Sequence, residues 1–272
     1  MSRQVRRATL DDLAGVSKVA RLTDQSGEGA GDDPRYSAHV LERGRLFVAE
    51  VEGSIVGYGA TVRVDQVDML TDLFIAPERQ GQGIGKELLD AVWSGADDRM
   101  TLSSSHPSAL PLYMRFGMAP LWPVLYLRGE STLAPPGYVV QDVDVPECAL
   151  REQELTGIDR SKDYAYWAAR PQSRLFVVRF ASEVVAVGAV GGAGSTYGVS
   201  HLVAAAPQHS ADSLLAVLST LTGRLFLAIP GPHLGVARLV EQGWRLVDVD
   251  QFMATAANLV DPALVCPHSG LM

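Results

Sequence analysis

The feature that most restricts the fold of this 272-residue chain is the passage LTDLFIAPERQGQGIGKELL, residues 70–89. Its first residues read as the end of an apolar strand, and Leu88, Leu89 and Val92 recur at the spacing of a helix face. Between them Gly81, Gly83 and Gly85 alternate with Gln80, Gln82 and Ile84, so the chain must pass from strand to helix within a few residues. Glycines allow the tight turn. They also present successive backbone N–H groups at the start of the helix, where the positive end of the helix dipole favours an anion such as a pyrophosphate. Arg79 and Lys86 flank the loop and can add charge-assisted contacts.

Taken alone, such a loop also fits a dinucleotide-binding fold or a plain turn with a capped helix. The dinucleotide reading is disfavoured, because the loop follows three strands with hairpin-like joins and no acidic residue closes a second strand at the usual distance. A Walker loop is excluded, since Lys86 lacks the GxxxxGK[ST] context.

The surrounding pattern predicts an α/β chain. Ahead of the loop come a strand at 3–8, a helix over 10–22 capped by Thr9 or Asp11, a polar loop, a helix over 34–43, and strands at 45–51, 54–64 and 67–76. A strand, a short helix and a closing pair over 117–128 follow the loop helix. Gly129, Pro135, Pro136 and Gly137 then break the pattern as a linker would. Beyond them the same order of elements returns as far as residue 254, which suggests an internal duplication. The expected organisation is a domain over 1–130, a second over 137–256, each a twisted mixed sheet flanked by helices, and a loop-like tail over 257–272.

With 47% hydrophobic and 20% charged residues, the chain has the balance of a soluble protein with a sizeable core. Its net charge of −8 would repel a phosphate backbone, so no nucleic-acid partner is expected. The acidic loop with Asp24, Glu28, Asp32 and Asp33 suits a cationic amine, or simply solvation. Cys148 and Cys266 lie far apart without metal-ligand spacing, and His201, His209 and His233 share none, so no metal is expected. The start MSRQVRRATLDD lacks the apolar stretch of a signal peptide, and no apolar run approaches a membrane span. No membrane association is expected and a cytoplasmic location is.

Gln80 to Gly85 resembles the QxxGxG signature of the GNAT superfamily of N-acetyltransferases, and LTDLFIAP resembles that family's fourth strand. The segment from His106 through Ala109 and Tyr113 to Gly117 is similar to its NxxAxxxYxxxGF motif, with His106 in place of the usual Asn. The resemblance covers residues 3–128 and implies acetyl-CoA as co-substrate. It implies that backbone groups of Leu73, Phe74 and Ile75, beside a bulge after Leu73, hold the pantetheine. Arg79, Gln80, Gly81, Gln82, Gly83, Ile84, Gly85 and Lys86 would hold the pyrophosphate, with further coenzyme contacts from His106 and Ala109. Tyr113 stands where many relatives place the acid that reprotonates the leaving thiolate; a phenol is close to a thiol in acidity and suits that task. Packing at a helix end is its other reading.

The general base is not apparent. Positions that carry Glu in some relatives are Thr71 and Met69 here, neither of which takes a proton. Asp68 and Asp72 are the nearby carboxylates; strand alternation sets Asp72 on the face opposite Thr71, where a structural role is expected. A water chain could replace the base. The second half lacks the glycine loop and is expected to bind no coenzyme, although Asp159, Arg160, Tyr164 and Trp167 form either a substrate-binding cluster or interior packing. The resulting expectation is transfer of acetyl to the amine of a small molecule. The alternatives are a coenzyme-binding sensor or scaffold without turnover, and acetylation of a protein.

Overall fold

The structure, a computed structural model, describes residues 3–23, 34–104, 106–193, 196–268 and 270–272. The acidic loop residues Asp24, Glu28, Asp32 and Asp33 lie outside them. The chain divides into two compact units, residues 1–101 with 115–118, and residues 102–114 with 119–272.

The first unit runs β1 (Arg3–Arg7), α1 (Leu13–Thr23), α2 (Pro34–Arg43), β2 (Gly44–Val51), β3 (Ser54–Val64), β4 (Val67–Ile75), α3 (Ile84–Val92) and β5 (Asp98–Ser103), whose last two residues fall in the second unit. The sheet order is β1-β2-β3-β4-β5. Short turns fold β2, β3 and β4 antiparallel; at the first, Glu52 and Gly53 both have positive φ, as a two-residue hairpin of this twist requires. The step from β4 to β5 passes through α3 and is therefore parallel. Ile84 and Leu88 of α3 are buried against Ala49, Val51 and Val56 of β2 and β3. Truncating a leucine such as Leu88 would cost about 2–5 kcal/mol.

The second unit contains α4 (Ala109–Met114), β6 (Ala119–Gly129), β7 (Tyr138–Asp142), α5 (Val145–Thr156), α6 (Ser161–Ala168), β8 (Arg174–Phe180), β9 (Glu183–Ala193), β10 (Thr196–Ala204), α7 (Pro207–Ser219), β11 (Arg224–Pro230), α8 (Gly235–Glu241), β12 (Arg245–Ala254) and β13 (Val265–Cys266). Its sheet order is β12-β6-β11-β10-β9-β8-β7, with β13 on β10. Leu214, Leu215, Leu218, Leu225 and Ile229 lead a core that α7 and the sheet bury together.

Three features differ from the sequence expectation. β6, the last strand of the first sequence repeat, lies between β11 and β12 and so belongs to the second compact unit instead of closing a unit at residue 130. Its Trp122 stacks on Phe252 with ring centroids 4.1 Å apart. The expected linker is packed: buried Thr132 donates to Leu215 O at 2.7 Å, and Gln242 accepts from the Leu133 N–H. The tail is not loop-like throughout, since β13 joins the sheet and Cys266, Leu271 and Met272 are buried. No described helix is long and apolar enough to cross a membrane.

Candidate active site

In β4 the pairing with β3 slips between Leu70, opposite Thr61, and Asp72, opposite Ala60. Thr71 is thus the extra residue of a β-bulge, which bends the strand and increases its twist. The bulge lies at Thr71 and not after Leu73. Parallel pairing with β5 ends at the same point, Leu70 opposite Thr101. From Thr71 to Ile75 the strand keeps β3 on one side and parts from β5 on the other. The Ala76 N–H donates to Val56 O at 2.8 Å. Because antiparallel residues alternate in the direction of their backbone groups, Asp72, Phe74 and Ala76 address β3, while Leu73 and Ile75 direct their N–H groups to the vacated edge. Of the three residues that the resemblance assigns to the pantetheine, Leu73 and Ile75 face that edge and the Phe74 backbone is turned to the ladder.

The edge leads into the glycine loop. Gln80 bends back to donate from Nε2 to Ile75 O at 3.1 Å, joining loop to strand. Gly81 and Gly83 have φ of 73° and 83°, and Gly83 is the residue before α3. The first bond inside the helix is Glu87 N–H to Gly83 O, 3.2 Å, so the earlier N–H groups of the turn have no helical acceptor. Ile84 is buried at the root of the loop, and Gly85 lies in the first helical turn. Arg3 fastens this end: it donates to Gln82 O at 2.9 Å and pairs with Glu87. Gln82 donates to Glu78 O. Arg79 lies beside the loop on the 3-10 turn Pro77–Arg79. Lys86 is engaged with Asp90 at 2.7 Å in an exposed pair, a weak tie that an anion can compete for.

The bulge also overturns the expected separation of Thr71 and Asp72. Alternation is broken there, and the Thr71 hydroxyl donates to Asp72 Oδ2 at 2.7 Å. From α2 the Tyr36 hydroxyl donates to the same oxygen at 3.1 Å. Burial pushes the Asp72 carboxyl up to about 6, against the opposing pull of these two hydrogen bonds. The carboxyl is therefore ionised at neutral pH yet basic enough to accept a proton. Burial, then the Asp72 charge, raises the Tyr36 and Tyr58 phenols well above their usual value, so both stay protonated. Tyr36 carries no sequence signal for this position.

Tyr113, His106 and Ala109 belong to the second unit. Tyr113 is buried near the end of α4. His106 is exposed and turns its Nδ1 to Ser108, 2.8 Å from its Oγ and 3.3 Å from its N–H, while its carbonyl accepts from the Ala109 N–H at 2.9 Å. These bonds fix the start of α4.

The expected polar-aromatic cluster in the second half is an interior ion-pair group. Glu152 binds Arg160 at 2.9 Å, the Tyr164 hydroxyl at 2.5 Å and His201 Nε2 at 3.0 Å; Trp167 stacks on the His201 ring. All five are buried. Burial opposes the Glu152 charge, but His201, Arg160 and Tyr164 hold its carboxyl below the usual range. Asp159 instead accepts from the Ser161 N–H at the start of α6. A cavity of about 500 Å³ in the first unit is lined by Arg7, Arg43, Arg45 and Arg63. Arg45 donates to Val92 O and Ser94 O at the end of α3, and Arg63 is braced by Asp68, which gives both a structural task. Among the described residues no group of three or more His, Cys, Asp or Glu is placed to hold a metal.

Residues 42–117 match the family model described as an acetyltransferase (GNAT) domain. No curated protein matches the sequence. A protein from Pyrococcus horikoshii assigned as an acetyltransferase is similar in structure, with TM-score 0.74, 17% identity, and 99% of this chain and 94% of that one covered. A tandem GNAT protein from the clavulanic acid biosynthesis pathway gives TM-score 0.66 at 14% identity, covering 96% and 100%. A GCN5-related N-acetyltransferase from Sphaerobacter thermophilus gives 0.59 at 12%, covering 93% and 95%. The match over residues 42–117 coincides with β2 to β5, the glycine loop and α4. The fold of the whole chain is that of the tandem GNAT protein and the Pyrococcus protein to which it is similar.

Proposed function

We propose that the protein is an N-acetyltransferase that takes acetyl from acetyl-CoA and passes it to the amine of a small molecule. The observation that carries this reading is the continuity of three anchoring features: the β4 edge at Leu73 and Ile75, beyond the end of its pairing with β5, the Gly81–Gly83 turn, and the first-turn N–H groups of α3, for which a helix start offers no helical acceptor. An extended amide-bearing arm followed by a pyrophosphate suits that run of donors.

Acetyl-CoA supplies an activated thioester. Asp72, ionised above about pH 6, attracts the ammonium form of the acceptor and takes its proton. The amine nitrogen then attacks the acetyl carbonyl; the C–N bond forms, the C–S bond breaks, and the thiolate leaves with a proton from Tyr113, the role the family resemblance gives that phenol. The second proton shed by the nitrogen restores the phenol by way of solvent, and Asp72 releases its own proton to solvent. A backbone N–H of the β4 edge stabilises the carbonyl oxygen as charge gathers on it. The lack of a base at Thr71 and Met69 would favour a sensor without turnover; in this reading Asp72 is the base.

Calorimetry with acetyl-CoA tests the reading. The wild type is expected to bind one equivalent at roughly micromolar Kd, near −8 kcal/mol. Gly83→Trp, which puts an indole at a left-handed position of the loop, is expected to bind none. A wild type that binds nothing ends the acetyltransferase proposal; binding without thiol release over a broad amine panel returns the sensor.

A further inference from the structure

The second unit repeats the β4 edge, and residues Leu264–Cys266 of the same chain lie on it. In β10 the pairing with β9 slips between Val199, opposite Val190, and His201, opposite Ala189, leaving Ser200 as the bulged residue where β4 has Thr71. The Ala205 N–H donates to Val185 O at 2.8 Å, as the Ala76 N–H does to Val56 O. Parallel pairing with β11 ends at Gly198, opposite Phe226. By the same alternation Leu202 and Ala204 direct their N–H groups away from β9, as Leu73 and Ile75 do from β3. Here the vacated edge is filled. Leu202 and Val203 pair antiparallel with Cys266 and Val265 of β13, and the Ala204 N–H donates to Leu264 O at 2.9 Å. That N–H is the counterpart of the one at Ile75. Cys266 is fully buried, and Leu271 and Met272 are buried as well. After β10 the chain enters α7 through Ala206 and Pro207, without a glycine turn.

We infer that the C-terminal segment is a built-in strap: Leu264–Cys266 occupy in the second unit the strand edge left open in the first, so the chain presents one acyl-coenzyme edge and not two. This rests on the proposed coenzyme reading of β4 only for what the open edge binds; the docking of the strap stands on the second unit alone.

The test follows amide exchange at Ile75 and Ala204 in the full chain while acetyl-CoA is titrated by calorimetry. In free protein the Ala204 amide is expected to exchange at least about 100-fold more slowly than Ile75. Acetyl-CoA should bind in one equivalent and slow Ile75 without changing Ala204. Cys266→Asp, which sets a carboxylate at a fully buried position, should expel the strap and speed Ala204 exchange at least about tenfold while the first site still binds. Two equivalents bound by the wild type, or Ala204 exchanging as fast as Ile75, overturn the inference. Zero equivalents would refute the coenzyme reading of β4, and slow or fast exchange at Ala204 then decides the strap independently. Should Cys266→Asp not fold, the wild-type comparison still decides.

Discussion

Replacing Asp72 by Asn is expected to make the protein more stable and less active at once. The carboxyl is held at about 6 in the folded chain against an ordinary 3.8, with burial as the leading cause. The folded state therefore binds this proton more tightly than the unfolded state does. Stability from this group is fully present below about pH 4 and is lost as pH rises through about 6. At 1.36 kcal/mol for each tenfold difference in proton affinity, the ionised carboxylate destabilises the fold at pH 8 by about 3 kcal/mol. Asn imitates the neutral carboxyl and keeps an oxygen for the Thr71 and Tyr36 hydroxyls. Urea unfolding of both proteins from pH 4 to pH 8 should show nearly equal stability at the acid end and an advantage of about 3 kcal/mol for Asp72→Asn at the alkaline end. In parallel, kcat/KM should fall by about 10²–10⁴-fold, and the wild-type loss of activity on acidification through pH 6 should vanish. A variant no more stable than wild type at pH 8, or an advantage that does not shrink with acid, would refute the raised carboxyl and with it the base.

Other expectations concern single residues. Gly83→Ala meets no neighbouring atom, so its cost is the left-handed φ alone, about 1–2 kcal/mol in denaturant unfolding, with acetyl-CoA affinity weakened in calorimetry. Tyr113→Phe should lower kcat by about 10²-fold or more and leave the KM for acetyl-CoA unchanged in a thiol-release assay. At Gly129 an added Cβ would lie 2.3 Å from the Trp244 ring, so Gly129→Ala should destabilise by about 1–3 kcal/mol. Burial keeps His233 neutral down to about 4, so here the unfolded state binds the extra proton; stability is lost as pH falls from about 6.5 to about 4, and His233→Gln should flatten that part of the unfolding profile.

Much of the first unit was legible because its signals are local. Alternating apolar residues fix β2 and β3, the Glu52-Gly53 pair fixes their turn, and the glycines announce the passage into α3. The bulge at Thr71 was not legible, since no Gly or Pro marks it and strict alternation is the natural reading of VDMLTDLFI. The contact of Asp72 with Thr71 was hidden for the same reason, since it depends on that bulge, and its contact with Tyr36 comes from a residue distant in sequence. The placement of β6 between β11 and β12 escaped because strand pattern reports burial, not neighbours. β13 spans two paired residues, too few to show any period.

The two bulged strands bear on what an open edge means. Unpaired N–H and C=O groups along a strand are a liability, and chains cover them unless something else does. β10 and β4 share the bulge, the early parting from the parallel neighbour and the direction of the freed N–H groups. Past the bulge the two strands differ. After β10 there is no glycine turn, the residue at the bulge's exit is His201 bound to Glu152, and the edge is closed by β13. After β4 the glycine turn is present, the residue at the same exit is Asp72 with a raised carboxyl, and the edge is not closed by β5. Open edge, left-handed glycines and a destabilising carboxylate each oppose stability, and they occur together in one stretch of about a dozen residues. Departures from local stability concentrate where function requires them. The second edge is covered by Leu264–Cys266 of the same chain, so this architecture can close such a strand itself, and that contrast supports the proposed reading of the first edge as a coenzyme site.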